Sequence, residues 1–544
     1  MRAILLLNET TSIKQWERAA LVKAIAKGLE ITLVAHCTNT PPRRLRKSTI
    51  PYYALAFASL RSFSLDSPVD IEDLIGPDTP RIRFEGEFEG AWQRIPAETV
   101  EQFRGNDVLI RLGMSLIRGT EDLPLRYGVL SYHHGAPEEY RGRPAGFYEL
   151  LEGRSTQGVI VQRLSDRLAG GSIVARGTSR VIPHSFRQTR QASLLAGIPL
   201  LGVAVSRLEA QDLGSPPQQL GPNYRFPTVR PVIRLVTVLA KKRLARGWYG
   251  LTREKSWKAA VVSDNLAPHG DSELMAKAEQ TLPTPDGFSF VADPFWDGDG
   301  AILAELMGSR SGIGQIGRWS NGEWQKDFLA SPGNHFSYPQ FLVVDGHGFM
   351  FPETEAHSPP RLIPIEATGK PGHPLPPLQG LEQERIVDGT LCTDGSSWYL
   401  FGSRAPNVDT QLDLWTAPSA EGPYSLHPDS PVCIDVRGAR MAGPITKLSD
   451  GLYRFGQDCS ENYGGKTRVH KIQELTPEHY REEVTGTITV AGFWGPHTVS
   501  LGVDGCLIDY YDEQFSPLAG YRRLAAVLAK RVQTVRRKLS PGRA

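Results

Sequence analysis

Acidic and polar side chains recur at matched places in the second half of this chain. Glu305, Glu353, Gln457 and Asp509 each follow a turn glycine (Gly300, Gly348, Gly451, Gly505) by four to six residues, so they fall at comparable points on successive strands. Asp293 and Asp388 add carboxylates at strand edges, and Arg437 and Arg440 add charge that neutralises acids or binds phosphate. Two chemistries suit this set. Carboxylates ~5 to 10 Å apart across a bond hydrolyse glycosides. Convergent polar groups in a cleft bind sugar without reaction. The third repeat offers Tyr399, Leu400 and Phe401 where an acid would stand, which favours binding. The expected glycan-binding residues are Asp293, Glu353, Asp388, Arg440 and Gln457, with no metal site. The plainer use of Asp293 and Asp388 is turn capping by Asx bonds.

The elements that position these residues repeat as well. Turns ending in Gly300, Gly348, Gly395, Gly451 and Gly505 lie 48, 47, 56 and 54 residues apart, and each opens an alternating strand. Gly supplies the positive φ of a tight hairpin. A period of about 50 residues suits a four-stranded propeller blade, so five repeats predict a five-bladed β-propeller over residues 256–515. The first part reads differently. Short apolar strands at 3–7, 31–35, 107–110 and 128–132 alternate with helical stretches such as 13–28, which predicts a Rossmann-like α/β domain over 1–212. No G-x-G-x-x-G follows the first strand, so dinucleotide binding is not indicated.

Between and after these domains the charge is uneven. Residues 213–255, read as a basic linker helix, and 516–544, read as a basic C-terminal helix, hold the two acid-poor stretches of the chain. Eight Lys/Arg and no acid occur in 213–253, and again in 514–544, which leaves the rest of the chain at −14 against a net +2. Val232, Leu235, Val236 and Leu239 form one helical stripe, and Leu524, Leu528, Val532 and Val535 form another. Weak association with an anionic membrane surface is one use of such segments. Packing against the acidic body is the other. Nucleic acid is not expected, because no aromatic platform accompanies the charge. Five scattered Cys and a short N-terminal apolar run point to reduced thiols and a cytoplasmic setting, peripheral at the inner membrane face if the basic helices dock. No run of 18 apolar residues predicts a spanning helix.

Two stretches resemble known families. Residues 128–174 contain Ser131-Tyr132-His133, Tyr140-Arg141-Gly142, Gly158-Val159 and Gly171-Ser172-Ile173-Val174. They resemble the core of the folate-dependent formyltransferases, over about residues 100–205. The resemblance implies that His133 is the catalytic histidine and that 10-formyltetrahydrofolate is the donor. It also implies donor contacts near Arg141, Gly142 and Gly113. In formyl transfer an amine attacks a formyl carbon; a His takes the amine proton or steadies the oxyanion, an Asn binds that oxygen, and an Asp tunes the His. Here Ser131 stands for the Asn and Ala169 for the Asp, with Asp166 three residues upstream as the expected substitute.

The second half resembles the N-terminal domain of plant glucosamine inositolphosphorylceramide transferases and, more distantly, arabinanase-like glycoside hydrolases. The matching stretches are 291–295, 335–339, 351–354, 398–403 and 453–459. The combination implies a transferase acting on an amino sugar or a nucleotide- or lipid-linked glycan precursor. A catalytically degenerate glycan-binding protein and a propeller-centred hydrolase or glycosyltransferase are the alternatives.

Overall fold

The computed structural model describes all residues except 9–11, 40–45, 61–62, 264–268, 278–279, 331–333, 355–358, 503–504 and 525–544. The chain forms two compact units, Met1–Ala240 and Lys241–Ala544. The division lies later than 212. Val232, Leu235 and Leu239 of the helix Val229–Thr252 join a core cluster with Tyr52, Phe147 and Phe186, so the first half of that helix belongs to the first unit. Its apolar stripe is therefore a packing stripe, although Val236 stays exposed. Residues 519–524 are helical, and the remaining expected stripe at Leu528, Val532 and Val535 lies outside the described residues.

The first unit is α/β. Its seven-stranded sheet runs Ser172–Arg180, Thr156–Arg163, Val129–His133, Val108–Arg111, Arg2–Leu7, Glu30–Cys37, Arg81–Phe84. The last five are parallel, and the first two add antiparallel edges. Arg2–Leu7 is buried from Ala3 to Leu7, as a parallel strand covered on both faces requires. Helices Phe186–Gly197 and Leu200–Glu209 pack against the sheet, and Gln15–Ile25 packs against Leu200–Glu209. The stretch Phe186–Glu209 is long and apolar enough to cross a membrane by composition. Leu194, Leu201, Val205 and Leu208 bury its apolar side within the unit.

The second unit is built of β-sheets, antiparallel except where Ser272–Leu274 pairs parallel with Tyr480–Val490. The first sheet holds Phe288–Trp296, Ile302–Gly308, Gly314–Ser320 and Glu323–Leu329; the second, Phe336–Val344, His347–Thr354 and Ile363–Pro364; the third, Val387–Thr393, Trp398–Ser403, Asp413–Ala417 and Ser425–Leu426. The fourth runs from Arg440–Met441 through Gly451–Asp458 and Lys466–Leu475 to Tyr480–Val490, and takes in the earlier strand Ser272–Leu274. The fifth pairs Val499–Gly502 with Gly505–Phe515, and Gly505–Phe515 with Arg253–Val262. Successive sheets share hydrophobic clusters: Leu303 with Met350, Phe351 with Leu400, Leu414 with Met441, and Val469 with Ile508. A further cluster joins Ile302 of the first sheet to Leu507 of the fifth.

Four of the five expected turn glycines sit at the hairpin that leads into a strand, whereas Gly348 lies within the strand His347–Thr354. Gly300, Gly395, Gly451 and Gly505 take positive φ there; in the second sheet that role falls to Gly346 (φ +79), two residues before Gly348. A second repeat lies on the first strands. Asp293, Tyr338 and Asp388 adopt φ of +48, +50 and +49 where the pairing register slips. Left-handed geometry at a non-glycine residue costs about 1 kcal/mol or more. Gly443 and Gly495 take positive φ at the corresponding shifts of the last two sheets.

Candidate functional site

In the first unit a cleft of about 1280 Å³ opens where the parallel strands end, a usual ligand position in such sheets. Arg111, Ser131, His133, Gly142, Arg143 and Ala169 are among its walls. Ser131 and His133 close the strand Val129–His133 two residues apart, so both side chains leave the same face. His133 Nε2 lies 3.1 Å from the Tyr140 carbonyl. A carbonyl only accepts, so Nε2 carries the proton and Nδ1 is left as the acceptor. Burial lowers the His133 pKa, the Tyr140 carbonyl partly opposing and the Arg143 charge adding to it. Ser131 is buried, and its Oγ accepts from Arg111 Nε at 3.1 Å.

Other expected residues serve the chain itself. The Asp166 carboxylate accepts the Gly119 N–H at 2.9 Å and does not line the cleft. Its carboxylate is thus committed to the chain rather than presented to the cleft. Ala169 does line the cleft, at φ +53. Arg141 donates from Nε to the Gly221 carbonyl at 2.7 Å, fastening the strand Arg141–Gly142 to Asn223–Tyr224. Its neighbour Arg143 faces the cleft instead. Gly113 is a close approach: a Cβ there would meet the Leu7 carbonyl carbon at 2.2 Å. His134 was not expected in the site. It lines the cleft between Trp16 and Tyr132, and burial pushes its pKa down to about 3.

The second unit has its own pocket, of about 230 Å³. Asp293, Glu353, Asp388 and Arg440 reach it from four different sheets, each near a register shift that turns the strand. Gln457 lies behind this layer, donating to Asp388 Oδ2 at 3.1 Å and to the Met441 carbonyl at 2.7 Å. Arg440 Nε donates to the same Asp388 oxygen at 2.6 Å. Burial of the guanidinium is outweighed by Asp388, and its pKa stays well above the ordinary value. Glu353 accepts the Asp388 N–H at 2.9 Å. Burial first, and then Asp388, push the Glu353 carboxyl up to about 8. Arg437 is not part of the pocket; it pairs with Asp435 at 2.6 Å.

Three wall residues carried no individual sequence signal: Trp257, Tyr463 and His497. His497 Nδ1 sits 3.0 Å from Asp293 Oδ1 and 3.2 Å from Asp509 Oδ2, and Nε2 lies 2.8 Å from Tyr463 Oη. Burial disfavours charge on the imidazole, but Tyr463, Asp509 and Asp293 outweigh it and raise its pKa well above the ordinary value. His497 in turn outweighs the burial of Asp293, whose pKa is lowered. This triad has the residue types of a metal centre. Its oxygens already have donors, however. Asp293 accepts from Thr498 Oγ1 and Tyr338 N, and Asp509 from the backbone N–H groups of Asp293, His497 and Thr498. The triad acts as an internal ion pair.

Glu305 also enters the pocket, with His335 Nε2 3.3 Å away but without hydrogen-bond alignment. Burial, then Asp293, raise its carboxyl well above the usual range. The Pro after each of Asp293, Tyr338, Gly443 and Gly495 was a sequence mark of these positions, because it follows four of the five left-handed residues.

A folded α/β unit with a polar cleft, followed by a β-sheet unit with a polar pocket, is the class this molecule defines. Residues 286–491 match the family described as glucosamine inositolphosphorylceramide transferase 1, N-terminal. A protein named glucosamine inositolphosphorylceramide transferase 1 from Oryza sativa subsp. japonica is 29% identical over 239 residues, 39% of this chain and 31% of the relative. The chain thus spans about a third of that relative's length. Among solved structures, an N-formyltransferase from Helicobacter canadensis, in complex with folinic acid and dTDP-3-aminofucose, is 10% identical, with a TM-score of 0.29. It covers 45% of this chain and 82% of its own. The Cellvibrio cellulosa α-L-arabinanase bound to arabinohexaose is 14% identical, with a TM-score of 0.30, over 39% of this chain and 85% of its own.

Proposed function

We propose that the protein is a glycan-directed group transferase. Its second unit, read as a five-bladed propeller, holds a carbohydrate, and its first unit transfers a formyl group to an amine. The observation that carries the carbohydrate reading is the convergence of Asp293, Glu305, Glu353, Asp388 and Arg440 beside Trp257 and Tyr463 in one pocket. Charged acceptors and donors suit sugar hydroxyls, and aromatic faces suit the apolar face of a pyranose. The likeness of residues 286–491 to a family named for glucosamine transfer to a glycolipid supports an amino sugar, nucleotide- or lipid-linked, as the acceptor.

In the first unit the residues fit a donor of the 10-formyltetrahydrofolate type by size and charge. The cleft is large, and Gly142 and Arg143 form an edge that accommodates an anionic tail. Such a donor supplies the formyl carbon. His133 offers Nδ1 as the acceptor of the amine proton, its tautomer held by the Tyr140 carbonyl. Ser131 presents a hydroxyl two residues away on the same face. Ala169, where the resemblance places an acid, favours a second reading in which the cleft binds without transferring.

The test is mass spectrometry of nucleotide- and lipid-linked amino sugars after incubation with 10-formyltetrahydrofolate. A formyl mass gain that disappears in His133→Ala supports transfer. Donor binding without any product supports the second reading, and no binding at all defeats both. A glycan array reads the second unit independently: binding weakened by Arg440→Gln is expected, and an array without binders would end the carbohydrate reading.

A further inference from the structure

Arg111, Ser131 and Gln162 stand in one row across three neighbouring strands. Ser131 is opposite Arg111 on one side and opposite Gln162 on the other. Residues in register point to the same face of a sheet, and all three line the first unit's cleft. Arg111 donates to Ser131 Oγ at 3.1 Å from Nε and to the Ser115 carbonyl at 2.8 Å from Nη1. These contacts hold the guanidinium in place without neutralising it. Among the described residues neither Arg111 nor Arg143 has a carboxylate at ion-pair distance. The cleft's acids Glu17 and Asp66 are engaged elsewhere: Asp66 with Arg190 at 2.6 Å, Glu17 with the Lys14 N–H at 2.8 Å. Burial lowers the Arg111 pKa to about 10, with the Arg143 charge adding to it. On the other side of Ser131, Gln162 Oε1 is buried with no hydrogen-bond partner. A half-buried cation without a counterion is costly unless a ligand completes it, and so is the unsatisfied amide on the other side of Ser131.

We infer that Arg111, Ser131 and Gln162 form an oxyanion-binding site, and that the molecule entering this cleft carries a carboxylate or phosphate group at its His133 end. Arg111 supplies the charge and its Nη2 hydrogens, Ser131 a hydroxyl that turns to the anion from the Tyr132 carbonyl it donates to at 3.3 Å, and Gln162 an amide that turns its NH₂ the same way. The inference rests on the cleft being a substrate site but not on formyl transfer.

The experiment is isothermal titration calorimetry of the full chain with sodium formate and, separately, inorganic phosphate. One of the two is expected to bind. Preference for formate assigns a carboxylate, and preference for phosphate a phosphoryl group. Arg111→Gln should weaken binding about tenfold or more, as loss of a charge-assisted contact does. If Arg111→Gln fails to fold, Ser131→Ala with Gln162→Leu, in which Arg111 is retained, gives the reading by a smaller loss. Neither anion binding, or binding unchanged in every folded variant, overturns the site. Anion binding without formyl transfer leaves this inference standing and counts against the transfer reading; formyl transfer without anion binding does the reverse.

Discussion

Glu353 Oε2 accepts the backbone N–H of Asp388 at 2.9 Å, which sets a carboxyl of the second sheet against a carboxylate of the third. Asp388 is spoken for by Arg440, and among the described residues Glu353 has no ion pair of its own. It keeps its proton instead, up to about pH 8. A carboxyl with a raised folded pKa holds its proton after the unfolded chain has released it. Stability is therefore expected to fall as pH rises from near the ordinary value of 4.5 to about 8, and to level off above. The loss is on the order of a few kcal/mol. Glu353→Gln, which keeps the acceptor, should flatten that slope in urea melts across the range. An unchanged slope would mean that Glu353 is ionised.

His497 gives a slope of the same sign by a different route. Its folded pKa lies above the ordinary 6.5, so its contribution is complete below that value and disappears as pH climbs through the raised folded pKa. His497→Asn leaves Asp293 and Asp509 facing each other without the cation. We expect about 3 to 5 kcal/mol of destabilisation at neutral pH, read by chemical denaturation. A loss below about 1 kcal/mol would show that the carboxylates do not need the imidazolium.

Arg454 is fully buried and grips Glu482 at 2.7 and 2.6 Å while donating to the Gly438 carbonyl at 2.7 Å. Arg454→Met should cost about 3 to 5 kcal/mol, because it removes the guanidinium from Glu482 and leaves that carboxylate to Tyr480 and His470. The double variant Arg454→Met, Glu482→Met should recover much of that. Additive losses in the double-mutant cycle would contradict coupling between the two.

Ala169 lines the His133 cleft in a left-handed conformation that Asp tolerates better than Ala does. Ala169→Asp should thus fold normally. If the cleft transfers formyl groups, the added carboxylate should raise turnover about 10²-fold, the lower end for a positioned acid–base partner, and move the pH–rate profile. Melting temperature and rate, measured together, separate a folding defect from a site that has no use for the acid.

Gly300, Gly395, Gly451 and Gly505 were legible because positive φ leaves few alternative residues, whereas in the second sheet the turn falls at Gly346, two residues before the Gly348 that was read as marking it. Glu353 was legible because it follows a turn glycine at the repeat's spacing, whereas Asp293, Asp388 and Arg440 stood out only as charged side chains near strand edges. Trp257, Tyr463 and His497 were not legible, because they fall outside that repeat, and nothing in local sequence says which loop leans towards the pocket. The division between the units falls inside the stretch 213–255 that the sequence reads as a linker helix. The Pro- and Gly-rich stretch 214–227 has the composition of a linker, yet its strand Asn223–Tyr224 is fastened to Arg141–Gly142. Asp166 looked available by proximity in sequence, whereas its oxygen had a backbone N–H to satisfy.

The strand Arg253–Val262 has its ladder partner in Gly505–Phe515, at the far end of the second unit. A ribosome making this chain releases the first of these long before the second. Through most of translation the earlier strand has an unpaired edge, and the polar groups of that edge are free to join any other exposed strand. Closing so long a loop is also slow compared with local hairpins. A message broken before the codon for Gly505 would yield four sheets and an orphan strand. Such a product should be handed to chaperones or aggregate, whereas the first unit, complete by Ala240, has already folded.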